Sequence, residues 1–229
     1  MVAVIGDVHG CYNTLKDLFN KIKRKYPSID IYCVGDLVDR GYYCYEVVDF
    51  FISNGIKCTP GNHDYMFYDY FKNPSSIFAK SWSYNGNETT LISYSQHIDE
   101  MNFHLDYIKA FPLFFDLPDC FISHAGISSS YNKIFTPEMM SDKELLSGFL
   151  LNKINDDAGI LWNRDTLLNI NKLQVVGHTK QPEVRMDKKS NGIYIDTGAY
   201  SGNMLSSVIL ENNNVLDVIF EYTHSDDIS

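Results

Sequence analysis

Gly35-Asp36-Leu37-Val38-Asp39-Arg40-Gly41 follows the apolar run Ile31-Tyr32-Cys33-Val34. A short buried strand that runs into a glycine, two carboxylates and an arginine is how an α/β sheet delivers ligands to its carboxyl edge. Alone, the stretch reads equally as a solvated acidic turn. The same grammar recurs along the chain, and the recurrence decides the reading. Val2 to Ile5 precedes Gly6-Asp7-Val8-His9-Gly10, and Ile56 to Thr59 precedes Pro60-Gly61-Asn62-His63-Asp64. Cys120 to Ser123 precedes His124-Ala125-Gly126, Leu173 to Val176 precedes Gly177-His178-Thr179, and Gly192 to Ile195 precedes Asp196-Thr197-Gly198-Ala199.

Helical spacing fills the gaps in the first half. Leu15, Leu18, Phe19 and Ile22 define one apolar face, with Asn13 or Thr14 as the expected cap and Pro27 beyond the end. Val47, Val48, Phe51 and Ile52 define a second, ending at Asn54-Gly55, and Tyr65 to Phe71 continues the third unit. Residues 72–99 read as irregular or partly helical, with Trp82 assigned to packing, and helices are expected over Met101 to Phe111 and Leu145 to Leu151. Ser206 to Leu210 and Val215 to Glu221 form an expected hairpin, because Asn212-Asn213-Asn214 tolerates turn geometry. Motifs from Asp7 to His178 alternate between the two halves, so a single domain over residues 1–229 is expected. Its expected class is α/β (α+β): two mixed central sheets flanked by helices, with the site at the strand C-terminal ends.

A chain of 229 residues that is 45% hydrophobic can bury a sizeable core. Its formal charge of -10 and the lack of a basic block longer than Lys21-Ile22-Lys23-Arg24-Lys25 disfavour binding to a nucleic-acid duplex. No apolar stretch approaches a membrane span and Met1 to Ile5 enters a strand at once, so a soluble, cytoplasmic protein without a membrane partner is expected. Cys11, Cys33, Cys44, Cys58 and Cys120 show no C-x-x-C spacing and are expected as buried, reduced thiols. His97, His104 and His224 lack the strand-end context and are set aside as structural or surface residues.

His9, His63, His124 and His178 do fall after apolar strands, together with Asp7, Asp36, Asp39 and Asn62. Imidazole and carboxylate without cysteine describe a site for manganese, iron or zinc rather than a thiolate zinc clip. The set is too large for one metal. Two ions bridged by a carboxylate would suit it, and such pairs activate water for in-line attack on phosphorus. Two carboxylates leave two divalent ions with excess positive charge, which favours a phosphate group.

The ordered series GDVHG, GDLVDRG, GNHD, HAG and GHT, with LWNRD, W-x-x-N-G and IDTGA, resembles the PPP family of metallophosphoesterases. Within it, the chain is similar to the short bacterial and bacteriophage (lambda-type) serine/threonine protein phosphatases, from Met1 to about Leu210. The resemblance implies the calcineurin-like sandwich and two divalent ions, manganese foremost, with iron, zinc or nickel as alternatives. It implies that Asp7, His9 and Asp36 hold one ion, and that Asp36 bridges to a second completed by Asn62, His124 and His178. Water or hydroxide between the ions is the implied nucleophile, His63 the general acid, and Asp39 its paired carboxylate. Such a carboxylate favours imidazolium and fixes which nitrogen faces the substrate. Arg40 and Arg164 match the family's phosphate-binding arginines, whose planar forks take two oxygens each. Eukaryotic members carry glutamate at the position of Asp64, whereas bacterial relatives, including symmetrical diadenosine tetraphosphatases, commonly carry aspartate.

The first expectation is therefore a phosphatase acting on phosphoserine and phosphothreonine, with phosphotyrosine as an extension, on a phosphoprotein or phosphopeptide. The alternative is a dinucleoside polyphosphate hydrolase. A non-catalytic module of the same fold would have lost a ligand or the acid, and none is missing.

Overall fold

The structure, a computed structural model, describes residues 1–228. Among them the strands are β1 (Val2–Ile5), β2 (Asp30–Cys33), β3 (Lys57–Cys58), β4 (Phe114–Asp116), β5 (Phe121–Ser123), β6 (Gln174–Val176), β7 (Arg185–Asp187), β8 (Gly192–Tyr194), β9 (Met204–Glu211) and β10 (Asn214–Tyr222). The helices are α1 (Tyr12–Lys25), α2 (Cys44–Asn54), α3 (Asn62–Lys72), α4 (Ile77–Trp82), α5 (Glu88–Tyr94), α6 (Ile98–Lys109), α7 (Pro137–Ser141) and α8 (Lys143–Asn152). Residues 72–99, expected as irregular or partly helical, thus carry α4 and α5.

Two mixed five-stranded sheets result, ordered β10-β9-β1-β2-β3 and β4-β5-β6-β8-β7. In each, three adjacent strands run parallel: β1, β2 and the edge strand β3 in the first, β5, β6 and β8 in the second. The ends of these parallel strands are where the polar turns of the sequence fall.

Both faces of the central strands are covered, which explains why their sequences are continuously apolar. Val2 and Val4 of β1 pack between the sheets with Ile122, Val175, Ile193 and Val208. Their neighbours Ala3 and Ile5 point the other way, into the layer formed with Leu15, Leu18 and Ile22 of α1. Each such buried leucine or isoleucine contributes about 1.5–3 kcal/mol relative to exposure. The basic run of α1 is a paired surface: Lys21 and Lys25 reach Glu221 and Asp217 of β10, each at 2.7 Å.

The expected cap of α1 needs correction. Asn13 and Thr14 lie inside the helix, and the free amides of both are taken by Asp227, at 3.0 and 2.8 Å. A carboxylate from the far end of the chain replaces a local cap, and its charge also suits the helix N-terminus. The hairpin turn behaves as expected: Asn212 and Asn213 have φ of 50° and 61°, matching the twist of a two-residue hairpin loop. All five cysteines are buried and free. Burial pushes the thiols of Cys44 and Cys120 up to about 12, which leaves them unreactive. No helix among the described residues is long and apolar enough to cross a membrane.

Candidate metal centre

β1 delivers Asp7 and His9, β2 delivers Asp36, Asp39 and Arg40, and β3 delivers Asn62 and His63 on the first turn of α3. From the other sheet, β5 delivers His124, β6 His178 and β8 Asp196. All of these except Arg40 are buried. The chain must turn sharply to aim them at one point. His9, Asp36, Asp39, Arg40 and His178 accordingly have φ of 47°, 52°, 72°, 74° and 61°. That left-handed region costs an L-residue roughly 1–2 kcal/mol, and such strain concentrates at functional sites. Gly61 and Gly177 allow the closest approaches, since a Cβ on either would overlap the carboxylate of Asp36 or Asp7 respectively.

His9 Nδ1–H donates to the Val38 carbonyl at 2.8 Å, and His124 Nδ1–H to the Val34 carbonyl at 2.9 Å. Because a carbonyl only accepts, these bonds fix the tautomer and leave Nε2 with a lone pair in the neutral ring. Both Nε2 atoms face Asp36 Oδ2, at 3.4 and 3.5 Å. Asn62 Oδ1 lies 3.0 Å from His124 Nε2 and 2.9 Å from His178 Nδ1. Asp7 Oδ1 and His178 Nε2 are buried without a hydrogen-bond partner. Buried lone pairs that converge on one another are costly unless a cation lies among them. Two triplets have ligand atoms within 4.8 Å of one another, His9-Asp36-His63 and Asp36-His124-His178, and Asp36 belongs to both. The donor set therefore fits two divalent ions sharing a carboxylate.

Electrostatics agree. Burial, then the nearby charges of Asp196 and Asp36, holds the Asp7 carboxyl well above its usual range. Burial pushes Asp196 up to about 6. Burial would raise Asp36 as well, but His124, His63, His9 and His178 outweigh it and hold this carboxyl below the ordinary range. Burial lowers His9, His124 and His178, keeping their rings neutral and ready to ligate.

His63 Nδ1–H donates to Asp39 Oδ2 at 2.6 Å. Asp39 has further donors: Trp82 Nε1 at 3.1 and 2.9 Å from its two oxygens, and Thr90 Oγ1 at 2.5 Å. Trp82 therefore does more than the packing expected of it. The usable signal was chemical, because a fully buried indole N–H needs an acceptor. Trp82→Phe is expected to cost about 1–3 kcal/mol by leaving Asp39 short of a donor, with kcat lowered about tenfold and metal affinity kept. Urea unfolding and metal titration of this variant check it.

Arg40 caps the cluster, donating to His9 Nε2 at 2.8 Å and His63 Nε2 at 3.0 Å. Its guanidinium lies 4.2 Å from the ring centroid of Tyr200, a residue that sequence reasoning missed along with Thr90, while Asp196 stood in the strand-end pattern without a role. Arg164 is exposed, and Nη1 donates to the His178 carbonyl at 3.4 Å, so it flanks the cluster rather than joining it.

Known proteins extend this picture. The asymmetrical bis(5'-nucleosyl)-tetraphosphatase PrpE of Halalkalibacterium halodurans is 29% identical over 231 residues, covering 90% of this chain and 88% of that protein. A crystal structure provisionally described as a diadenosine tetraphosphatase aligns with a TM-score of 0.63 at 19% identity, covering 97% of this chain and 94% of the other. The cold-active protein-tyrosine phosphatase of a psychrophilic Shewanella aligns with a TM-score of 0.64 at 21% identity, covering 93% and 76%. At these identities the solved structures speak for the fold alone. The model of the calcineurin-like phosphoesterase family matches residues 1–221. Two mixed sheets with a buried nest of histidines and carboxylates at their strand ends have a family explanation: the chain belongs to the calcineurin-like phosphoesterases and is a metallophosphoesterase.

Proposed function

We propose that this metallophosphoesterase hydrolyses the polyphosphate bridge of a dinucleoside polyphosphate. The observation that carries the reading is the likeness to a bis(5'-nucleosyl)-tetraphosphatase over nearly the full length of both chains. The sequence motifs favour a phosphoprotein over the dinucleotide; this likeness supports the reverse order.

Asp7, His9 and Asp36 would hold one ion, and Asp36, Asn62, His124 and His178 the other, with manganese the ion to supply first. Bound there, the pair would polarise phosphate oxygens and make water more acidic, so that a nucleophile is present near neutral pH. Arg40 presents a planar fork to phosphate oxygens from within the cluster, and Arg164 approaches from the rim. Once a bound phosphate draws Arg40 away from His63 Nε2, that nitrogen is free to carry the proton given to the oxygen that leaves phosphorus. Asp39 holds the opposite nitrogen and so keeps Nε2 facing the substrate.

The test compares diadenosine tetraphosphate with a phosphoserine/phosphothreonine peptide, both with manganese and at equal enzyme concentration. A kcat/KM at least tenfold higher on the dinucleotide is expected. A higher value on the peptide overturns the reading and restores the phosphoprotein.

A further inference from the structure

Beside the metal centre lies an open cleft of about 180 Å3, lined by Ile77, Phe78, Ser81, Asn155, Asp157 and Trp162. That is smaller than the roughly 300–1,000 Å3 of sites that enclose a whole drug-sized ligand, and suits a single ring system. It begins one ring away from the cluster: Trp162 meets His178 edge to face with centroids 6.2 Å apart. Phe78 lies nearly parallel to Trp162, at 5.8 Å and 21°. Ile77 adds an apolar rim that is 65% exposed. Asn155 and Asp157 are exposed polar residues of the segment after α8.

We propose that this cleft holds a purine base of the dinucleoside polyphosphate whose phosphates lie at the metal centre. The inference rests on the reading of the preceding subsection and adds to it the element that recognises the nucleoside. Three features favour a base. The cleft has no lysine or arginine in its lining, and Asp157 gives it a negative charge, so it would repel a phosphate. A neutral ring presenting N–H groups suits the same carboxylate, which can only accept, while the Asn155 amide can serve either a donor or an acceptor. Ser81 Oγ already donates to the Ile77 carbonyl at 2.9 Å, leaving its lone pairs to accept as well.

Trp162, half-buried and backed by the buried Phe78 ring, supplies the flat apolar surface on which a fused two-ring base gains more contact than a single ring. A leucine or phenylalanine from a peptide could use that surface too. It would, however, leave Asn155 and Asp157 covered without partners, which is unfavourable. Trp162 stands two residues before Arg164, so this arginine and the aromatic platform belong to one short stretch. That stretch can guide a nucleotide with base and phosphate at opposite ends.

The experiment measures kcat/KM with manganese on diadenosine tetraphosphate and on inorganic tripolyphosphate, which has the anhydride bonds but no base. Wild type, Asp157→Ala and Trp162→Leu are compared, and tryptophan fluorescence is followed during titration with adenosine monophosphate. A wild-type preference for the dinucleotide is expected to fall at least tenfold in each variant. Quenching by adenosine monophosphate is expected in wild type and lost in Trp162→Leu, where Trp82 remains as the emitter. A wild type that prefers the dinucleotide, with both variants keeping that preference within twofold, overturns the base site while the substrate reading stands. A wild type with no preference for the dinucleotide overturns the substrate reading, and the base site with it.

Discussion

Removing divalent metal with a chelator is expected to abolish hydrolysis of diadenosine tetraphosphate and to lower the thermal midpoint, and Asp36→Ala is expected to reproduce both losses irreversibly. The reason lies in the charge of the nest itself. Asp7, Asp36 and Asp196 are each no more than 2% exposed, and burial together with mutual repulsion raises two of the three carboxyls. Asp36 alone is held low, by the four imidazoles around it, and it is the one carboxylate common to both ligand triplets. A cation at either triplet replaces repulsion among lone pairs with coordination, so its binding energy adds directly to folding stability. Metal at a hundred times its dissociation constant contributes about 2.7 kcal/mol. For a chain of this size that is a shift of roughly 5–10 °C. Asp36→Ala removes the shared ligand, so manganese is expected to give no measurable midpoint shift and kcat/KM to fall by at least about a thousandfold. Differential scanning calorimetry with and without manganese decides it. An Asp36→Ala protein that keeps the wild-type metal-induced shift would show that the ions sit elsewhere.

How much of this was legible in the sequence depends on whether cause and effect lie close along the chain. Strand, glycine, then ligand is a local pattern, so the turns carrying Asp7, Asp36, Asn62, His124 and His178 stood out, and the two-sheet class followed from their spacing. The alternation of Val2 and Val4 against Ala3 and Ile5 is equally local. Partners supplied across the fold were not legible. Asp227 caps a helix 213 residues before it, and Thr90 and Trp82 serve Asp39 from helices that the sequence left partly irregular. Tyr200 under Arg40 belongs with them. Left-handed backbone at His9, Asp39 and Arg40 was not legible either, because these residue types carry no glycine-like marker and are held there only by the surrounding turns.

His63→Asn is the prediction that separates two roles which the geometry alone leaves side by side. His63 makes a 2.6 Å bond to Asp39, the arrangement of an oriented proton donor, yet its ring also belongs to the triplet with His9 and Asp36 that could hold a metal. Its main chain is tied to the centre independently, since His63 N–H donates to Asp36 Oδ1 at 2.9 Å. Asparagine can keep that backbone bond and some of the polarity while removing the transferable proton. If His63 is the acid, kcat on a phosphoserine peptide, whose alkoxide leaves only with a proton, is expected to fall about 10²–10⁴-fold, the usual worth of general acid catalysis. Manganese affinity is expected to remain within about threefold of wild type. The loss should also depend on the leaving group: it should be much smaller with p-nitrophenyl phosphate, whose phenolate departs without needing a proton. Asp39→Asn should follow the same pattern more weakly, because it disturbs the tautomer and orientation of the ring without removing it. A His63→Asn protein that loses metal affinity, with equal loss on both substrates, would instead make His63 a ligand. Protonation of the leaving group would then fall to another residue of the cluster. Calorimetric titration of manganese beside the two rate measurements distinguishes these outcomes, since only a ligand couples the loss of turnover to the loss of metal.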